Sequence, residues 1–186
     1  ANDNLVNANF SNEERSQDSH FFNIGYWFSK DFRVDWENSA HHIENASQLF
    51  SSRDFILNNF ETKPKATYKF TEAYQVEFCS ALRQKKRMDG EEFLKTYDLT
   101  GSLQWERRKT SVRGSFSFIN NDFTGNSFSI VGNQMLDGLK PDKNQVWSVF
   151  LQQSINSFLQ LNMNYEGRNS GERTIHIGSM QVKASF

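Results

Sequence analysis

The chain has one cysteine, Cys79, and two prolines among 186 residues. A lone thiol excludes an intrachain disulfide and any thiolate metal cluster. Few prolines beside many serines and asparagines suit polar strand positions and turns rather than a disordered segment. An excess of one charge is also missing: 21 basic and 22 acidic side chains are spread along the chain, which leaves no broad cationic footprint for nucleic acid. No run approaches the ~18 apolar residues of a transmembrane helix. Any membrane role therefore falls to strands, because only helices and closed barrels satisfy their backbone hydrogen bonds inside lipid. The chain opens at Ala1 without a leader, as expected of a processed protein or an excised piece. What is plentiful is aromatic rings. Only 37% of residues are hydrophobic, but 15% are aromatic, including 18 Phe, a bias that favours strands.

Period-two alternation, the signature of strands, runs through most of the sequence. Phe22, Ile24, Tyr26 and Phe28 oppose Phe21, Asn23, Gly25 and Trp27, and after a turn Phe32, Val34 and Trp36 oppose Arg33, Asp35 and Glu37. Phe60, Pro64, Ala66, Tyr68 and Phe70 oppose Glu61, Lys63, Lys65 and Lys69, with Pro64 needing a bulge or an unpaired position. The same contrast recurs at 74–83, 97–106, 112–118, 147–152 and 159–166. In the last stretch, 173–186, Gly178, Met180, Val182, Ala184 and Phe186 share one face against Ser179, Gln181, Lys183 and Ser185. The count is nine strands, with a tenth expected over residues 5–13. One helical turn is expected at 135–139, broken by Gly138 and Pro141.

The connections alternate in length. They read as short at 29–31, 70–72, 107–111 and 154–157, and as long at 38–57, 86–95, 120–144 and 167–172, with every long one at the same end. A soluble Greek-key sandwich has no reason to sort its loops this way, whereas outer-membrane barrels have short periplasmic turns and longer outside loops. Trp27, Trp36, Trp105, Trp147, Tyr26, Tyr68, Tyr74 and Tyr165 fall near strand ends, where interface girdles belong. The expected fold is all-β: an antiparallel up-and-down transmembrane β-barrel of about ten strands over 1–186, or the C-terminal strands of a larger barrel.

The tail QMLDGLKPDKNQVWSVFLQQSINSFLQLNMNYEGRNSGERTIHIGSMQVKASF, with PKATYKFTEAYQVEF before it, resembles the C-terminal barrel region of large Bacteroidota outer-membrane proteins over residues 60–186. The terminal aromatic strand is similar to the C-terminal signal of outer-membrane barrels. The resemblance implies an envelope location with a periplasmic C-terminus, extracellular long loops, and an assembly signal at Phe186, Val182 and Met180. The implied partners are outer-membrane lipids, the barrel-assembly machinery and other envelope chains in a complex. It implies no catalytic residue and no cofactor.

Within a barrel the polar face lines the lumen, which makes Lys63, Lys65, Lys69, Glu77, Arg113, Glu166 and Lys183 lumen-facing. Their mixed charge suits a cross-strand ion-pair lattice more than a selective ion path. The leading function is a transport or secretion pore, or a scaffold, without catalysis of its own. The basic cluster at 83–87 reads as a solvated loop end, or alternatively as a phosphate- or lipopolysaccharide-binding patch. A rim hydrolase is the second reading, with His41, His42, Asp54 and His176 as its only candidate residues and no spacing that singles out a pair. Adjacent His41 and His42 point apart in extended chain, against a shared metal. A soluble β-sandwich that binds glycans through exposed Trp is the third reading.

Overall fold

The computed structural model describes residues 13–47, 54–171 and 173–184. They form a nine-stranded antiparallel sheet in sequence order: β1 (Glu13–Trp27), β2 (Phe32–Ser47), β3 (Phe55–Thr71), β4 (Tyr74–Arg87), β5 (Phe93–Arg107), β6 (Thr110–Thr124), β7 (Asp142–Ser154), β8 (Leu159–Ser170) and β9 (Arg173–Ala184), with one helix, α1 (Ile130–Met135), between β6 and β7. Neighbours in sequence are neighbours in the sheet throughout, the up-and-down order expected of a barrel. Among the described residues no ladder joins β1 to β9.

One rung of paired residues crosses all nine strands: Tyr26, Val34, Ala66, Phe78, Gly101, Phe116, Trp147, Gly167 and His176. The next rung reads Gly25, Asp35, Lys65, Cys79, Thr100, Ser117, Val146, Arg168 and Ile175. Register thus sorts aromatic and aliphatic side chains to one face and polar ones to the other. The rung also climbs, from beside the turn end of β1 to the upper part of β9. That is about one residue of stagger per strand, which at ~3.3 Å rise and ~4.8 Å spacing tilts the strands by roughly 30°, near the tilt of closed barrels.

The polar face is concave. Lys85 on β4 donates to the Met135 carbonyl at 2.9 Å and pairs with Asp137 at 2.7 Å, while Arg168 on β8 donates to the Gly138 carbonyl at 3.2 Å. Two strands four apart in the sheet can reach one short segment only if the sheet curls toward it. Exposure agrees. On the apolar face Phe22 is 59% and Leu103 50% exposed, while on the polar face Asp35 is 4% and Asp98 9% exposed. A soluble sandwich would show the reverse, with its apolar face covered by a second layer.

Pro64 lies where the β3–β4 ladder lapses. Pairing runs to Thr62 opposite Leu82 and resumes at Lys65 opposite Cys79 without a shift, so the missing N–H is accommodated at an unpaired position and no bulge is needed. The irregularity in that ladder falls instead between Lys69 and Thr71.

Several expectations need correction, nearly all at the end away from the short turns. β1 starts at Glu13, before the aromatic run at 21, and the tenth strand expected over 5–13 falls almost wholly outside the described residues. The polar stretch 38–57 is mostly strand, since β2 continues to Ser47 and β3 begins at Phe55. The basic cluster 83–87 belongs to β4 and is paired along its length with β3 and β5, except that Arg87 pairs with Leu57 of β3 alone. β8 and β9 are separated only by residues 171–172, as tight as the turns at the other end. The helix occupies 130–135 rather than 135–139: Ser129 caps its N-terminus by accepting from the Gly132 N–H, and Asp137 and Gly138 follow with positive φ. Left-handed residues just after a helix are how a helix stops, so Gly138 ends the helix instead of interrupting it.

Candidate functional site

The concave face has two levels. At the level nearer the short turns it is lined by charge. Arg33 donates to Asp35 through Nε at 2.9 Å, Lys65 lies 3.5 Å from Glu37, and Arg83 bridges Glu61 at 3.2 Å and Asp98 at 3.3 Å. Arg33–Asp35 lies within β2, while the Lys65 and Arg83 pairs run across neighbouring strands and form the lattice that mixed charge implied. Gly25 makes room for it, because a Cβ there would collide with the Asp35 and Arg33 side chains. Farther round the sheet the face is lined by small polar groups: Thr100 bonds Asp98 at 2.8 Å and Ser117 at 2.6 Å, and Ser115 bonds Ser148 at 2.8 Å.

At the other end the connection between β6 and β7 folds back over this face. Val131, Met135 and Leu136 are buried against Phe55, Leu57 and Leu94, with Ile43 and Phe123 packed alongside. All five strand residues project to the concave side, so the segment occupies the mouth rather than standing outside it. Its return is pinned by asparagines: Asn121 donates to the Lys140 carbonyl at 3.0 Å, and fully buried Asn144 donates to the same carbonyl at 2.8 Å. Beneath the segment lies a polar cavity of about 370 Å³ lined by Arg15, His41, Glu61, Arg83, Lys85 and Asp137, among others. Arg87, at the top of β4, closes the β4–β5 connection by bonding Asp89 at 2.9 Å and Glu92 at 3.3 Å. That guanidinium and the Ile56 N–H hold the Asp89 carboxyl below its usual range.

The convex face changes at the same height. From the short turns upward it carries rings in mutual contact, Tyr26, Phe28, Phe32, Tyr68 and Phe70 in sequence and Tyr74 with Trp105, then aliphatic residues, then a second aromatic level. There the Trp147 ring lies where any Cβ on Gly167 would collide with it, and His176 stacks on Tyr165. Above that level the same stripe turns polar, with Asp18, His42, Asn58, Lys86 and Asp122. His42 takes part in hydrogen bonds with Asn58 and Glu44, which raise its pKa.

Lys63, Lys65, Lys69, Glu77, Arg113, Glu166 and Lys183 all lie on the concave face. Lys65 is paired, Arg113 donates to Gln104 and Glu166 accepts from Asn164. Trp27 departs from the expected outer girdle: it stands on the concave face, with Arg33 5.3 Å and Lys69 6.0 Å from its ring. One step of alternation decides this, since Tyr26 takes the outer position. Met180 and Val182 are outward and exposed on β9, and Phe186 lies outside the described residues. The histidines do not converge. His41 faces inward with Ser19 at 2.8 Å, His42 faces outward, and His176 sits on the far edge strand. Sequence reading missed the mouth segment as a site. Its signal was the two pairs of apolar residues in SIVGNQML, Ile130 with Val131 and Met135 with Leu136, behind a serine cap.

No family model matches the chain, and no curated protein sequence matches it. Among solved structures, the outer-membrane expressed OmpT of Vibrio cholerae superposes with a TM-score of 0.61 at 7% identity, covering 88% of this chain and 53% of that one. The in-vitro folded trimer form of that protein gives 0.65 at 7% identity, covering 90% and 56%. The NanC porin gives 0.46, too low for its topology to be compared. At such identity the likeness establishes the fold alone, an antiparallel up-and-down sheet of the outer-membrane barrel type. The chain spans about half the length of the Vibrio structures.

Proposed function

We propose that this chain is a membrane-spanning section of a bacterial outer-membrane barrel and provides part of a water-lined path for hydrophilic solutes, narrowed at its outer mouth by the segment between β6 and β7. The observation that carries the reading is the exchange of polarity between the faces: an exposed apolar belt outside, and partly buried charge paired across strands inside. A bilayer rewards that arrangement and water penalises it. The belt also has the right height. On β5 the outward run from Tyr97 to Trp105 matches the ~9–11 residues of a tilted transmembrane strand. In this orientation the short turns and the C-terminus are periplasmic, and the mouth segment faces outward. Met180, Val182 and Phe186 then make up the signal presented to the assembly machinery. Among the described residues His41, His42 and His176 do not converge as a rim hydrolase would need.

The test is fractionation followed by reconstitution of the full polypeptide. The protein should partition with outer membrane and run heat-modifiably on gels, and its quantitative recovery in soluble form without detergent would end this reading. In reconstituted vesicles, Lys85→Ala with Asp137→Ala should raise solute flux several-fold by freeing the mouth segment. Unchanged flux would mean that the path does not run beneath it.

A further inference from the structure

We infer that the edge strands β1 and β9 are joined in the folded protein through an odd number of further strands of the same polypeptide, amphipathic in the same sense as β2 to β8, and not through each other or a second copy. The inference rests on the membrane-spanning reading above.

Both edges sit at the depth of hydrocarbon. β1 presents Phe22, Ile24 and Tyr26 outward, and β9 presents Met180 and Val182 outward, all exposed. A strand at that depth cannot leave its N–H and C=O groups open, because lipid offers them no partner. Among the described residues β1 pairs with β2 alone and β9 with β8 alone. The edges are also apolar over part of their concave side. There they carry large apolar residues, Phe21 on β1 and Ile175 and Ile177 on β9, exposed by 75%, 41% and 61%. Apolar side chains on both faces of both edges need neighbours to cover them.

Direction decides which neighbours can do so. β1 runs from the mouth to the short-turn end, as Glu13 opposite Ser47 and Trp27 opposite Arg33 show, and β9 runs the same way, from Arg173 opposite Ser170 to Ala184 opposite Leu159. Paired with each other they would make one parallel ladder in an otherwise antiparallel barrel. A second copy inserted in the same sense offers only edge strands with this direction, so it meets the same obstacle. Antiparallel closure needs an odd number of intervening strands, which also makes the total even, as in single-chain outer-membrane barrels. Twelve residues folded back on β1, itself 15 residues long, are enough to reach only about Phe22, so a strand that also covers Ile24 and Tyr26 has to come from elsewhere in the polypeptide. The Vibrio structures leave room for such strands, because this chain matches just 53–56% of their length.

The test places a photo-crosslinking amino acid at Ser19, Asn23 or Ser179 in the full-length protein and maps products by mass spectrometry in native membranes, using only the fraction that resists alkaline carbonate. Asn23 and Ser179 should each crosslink within the same polypeptide to peptides outside residues 13–184. The partners of Ser19 and Asn23 should fall in reversed chain order, as an antiparallel neighbour requires. Crosslinks from Asn23 to β9, a product of twice the monomer mass, or partners in the same chain order would overturn the inference and leave the membrane reading standing. Absence of the protein from the carbonate-resistant fraction would overturn both.

Discussion

The half of the sheet next to the short turns and the half next to the mouth are built from the same strands, yet they invert each other. Near the turns the convex face carries rings and aliphatic chains while the concave face carries ion pairs. Near the mouth the convex face carries Asp18, His42, Lys86 and Asp122, while on the concave face Leu57 and Leu94 are buried, with Ile43 beside them, against Met135 of the mouth segment. The upper half is organised like a soluble protein, with apolar groups inward and polar groups outward; the lower half is organised for a hydrocarbon solvent. A continuous backbone ladder spans the change. Side-chain polarity therefore records which solvent each level meets, while hydrogen bonding fixes the strand regardless.

The largest effect expected from this contrast is on charge placed in the belt. Leu99→Arg, outward and next to the midpoint of β5, should cost roughly 2–4 kcal/mol, while Gln84→Arg, on the same face above the belt, should cost little. Folding titrations into lipid vesicles measure both, and equal tolerance would erase the contrast. Next comes the mouth. Leu57→Ala should remove about 2–3 kcal/mol from the small core there, read as faster hydrogen exchange across residues 130–135 with the lower half of the strands unaffected. Loss of protection throughout would mean that the two halves fold as one unit.

A smaller cost is expected at the outer aromatic level. Gly167→Val requires the Trp147 ring to move, for about 1–2 kcal/mol, and should shift the Trp147 emission. The smallest effect is electrostatic. His42 has its pKa raised above the ordinary 6.5 by its bonds to Asn58 and Glu44. Its contribution is therefore fully present below about pH 6.5 and is lost as pH rises through the raised value. Glu44→Gln should lower the midpoint of the His42 ring titration followed by NMR, and an unmoved midpoint would remove Glu44 as a cause.

The same contrast explains what was legible in the sequence. Strand order, the short-turn ends and the two faces could be read because alternation is strong wherever one face meets lipid: Phe32 to Trp36 on β2 and Tyr97 to Trp105 on β5 begin or end close to where the pattern does. Above the belt both faces mix polarity, the alternation fades, and Asn38 to Ser47 of β2 reads as loop although its ladder to β3 is continuous as far as Asn45. The seven charged residues on the concave face follow from parity alone. The mouth segment does not, since its burial depends on Phe55, Leu57 and Leu94 arriving from strands distant in sequence. Trp27 illustrates the limit of composition, because a tryptophan near a strand end suggests a girdle until the register turns it inward among cations.

The most direct measurement of the central claim is a nitroxide scan along β5 in the reconstituted full-length protein, with labels at Leu103, Leu99 and Lys95 on the outer face and at Gln104 and Thr100 on the inner one. Collision with oxygen, which concentrates in lipid, is compared with collision with a water-soluble nickel complex. Leu103 and Leu99 should favour oxygen, Lys95 should switch to the aqueous reagent four residues higher on the same face, and Gln104 and Thr100 should avoid oxygen. Aqueous access at Leu103 and Leu99 equal to that at Lys95 would contradict a change of solvent along the strand, and with it the barrel reading.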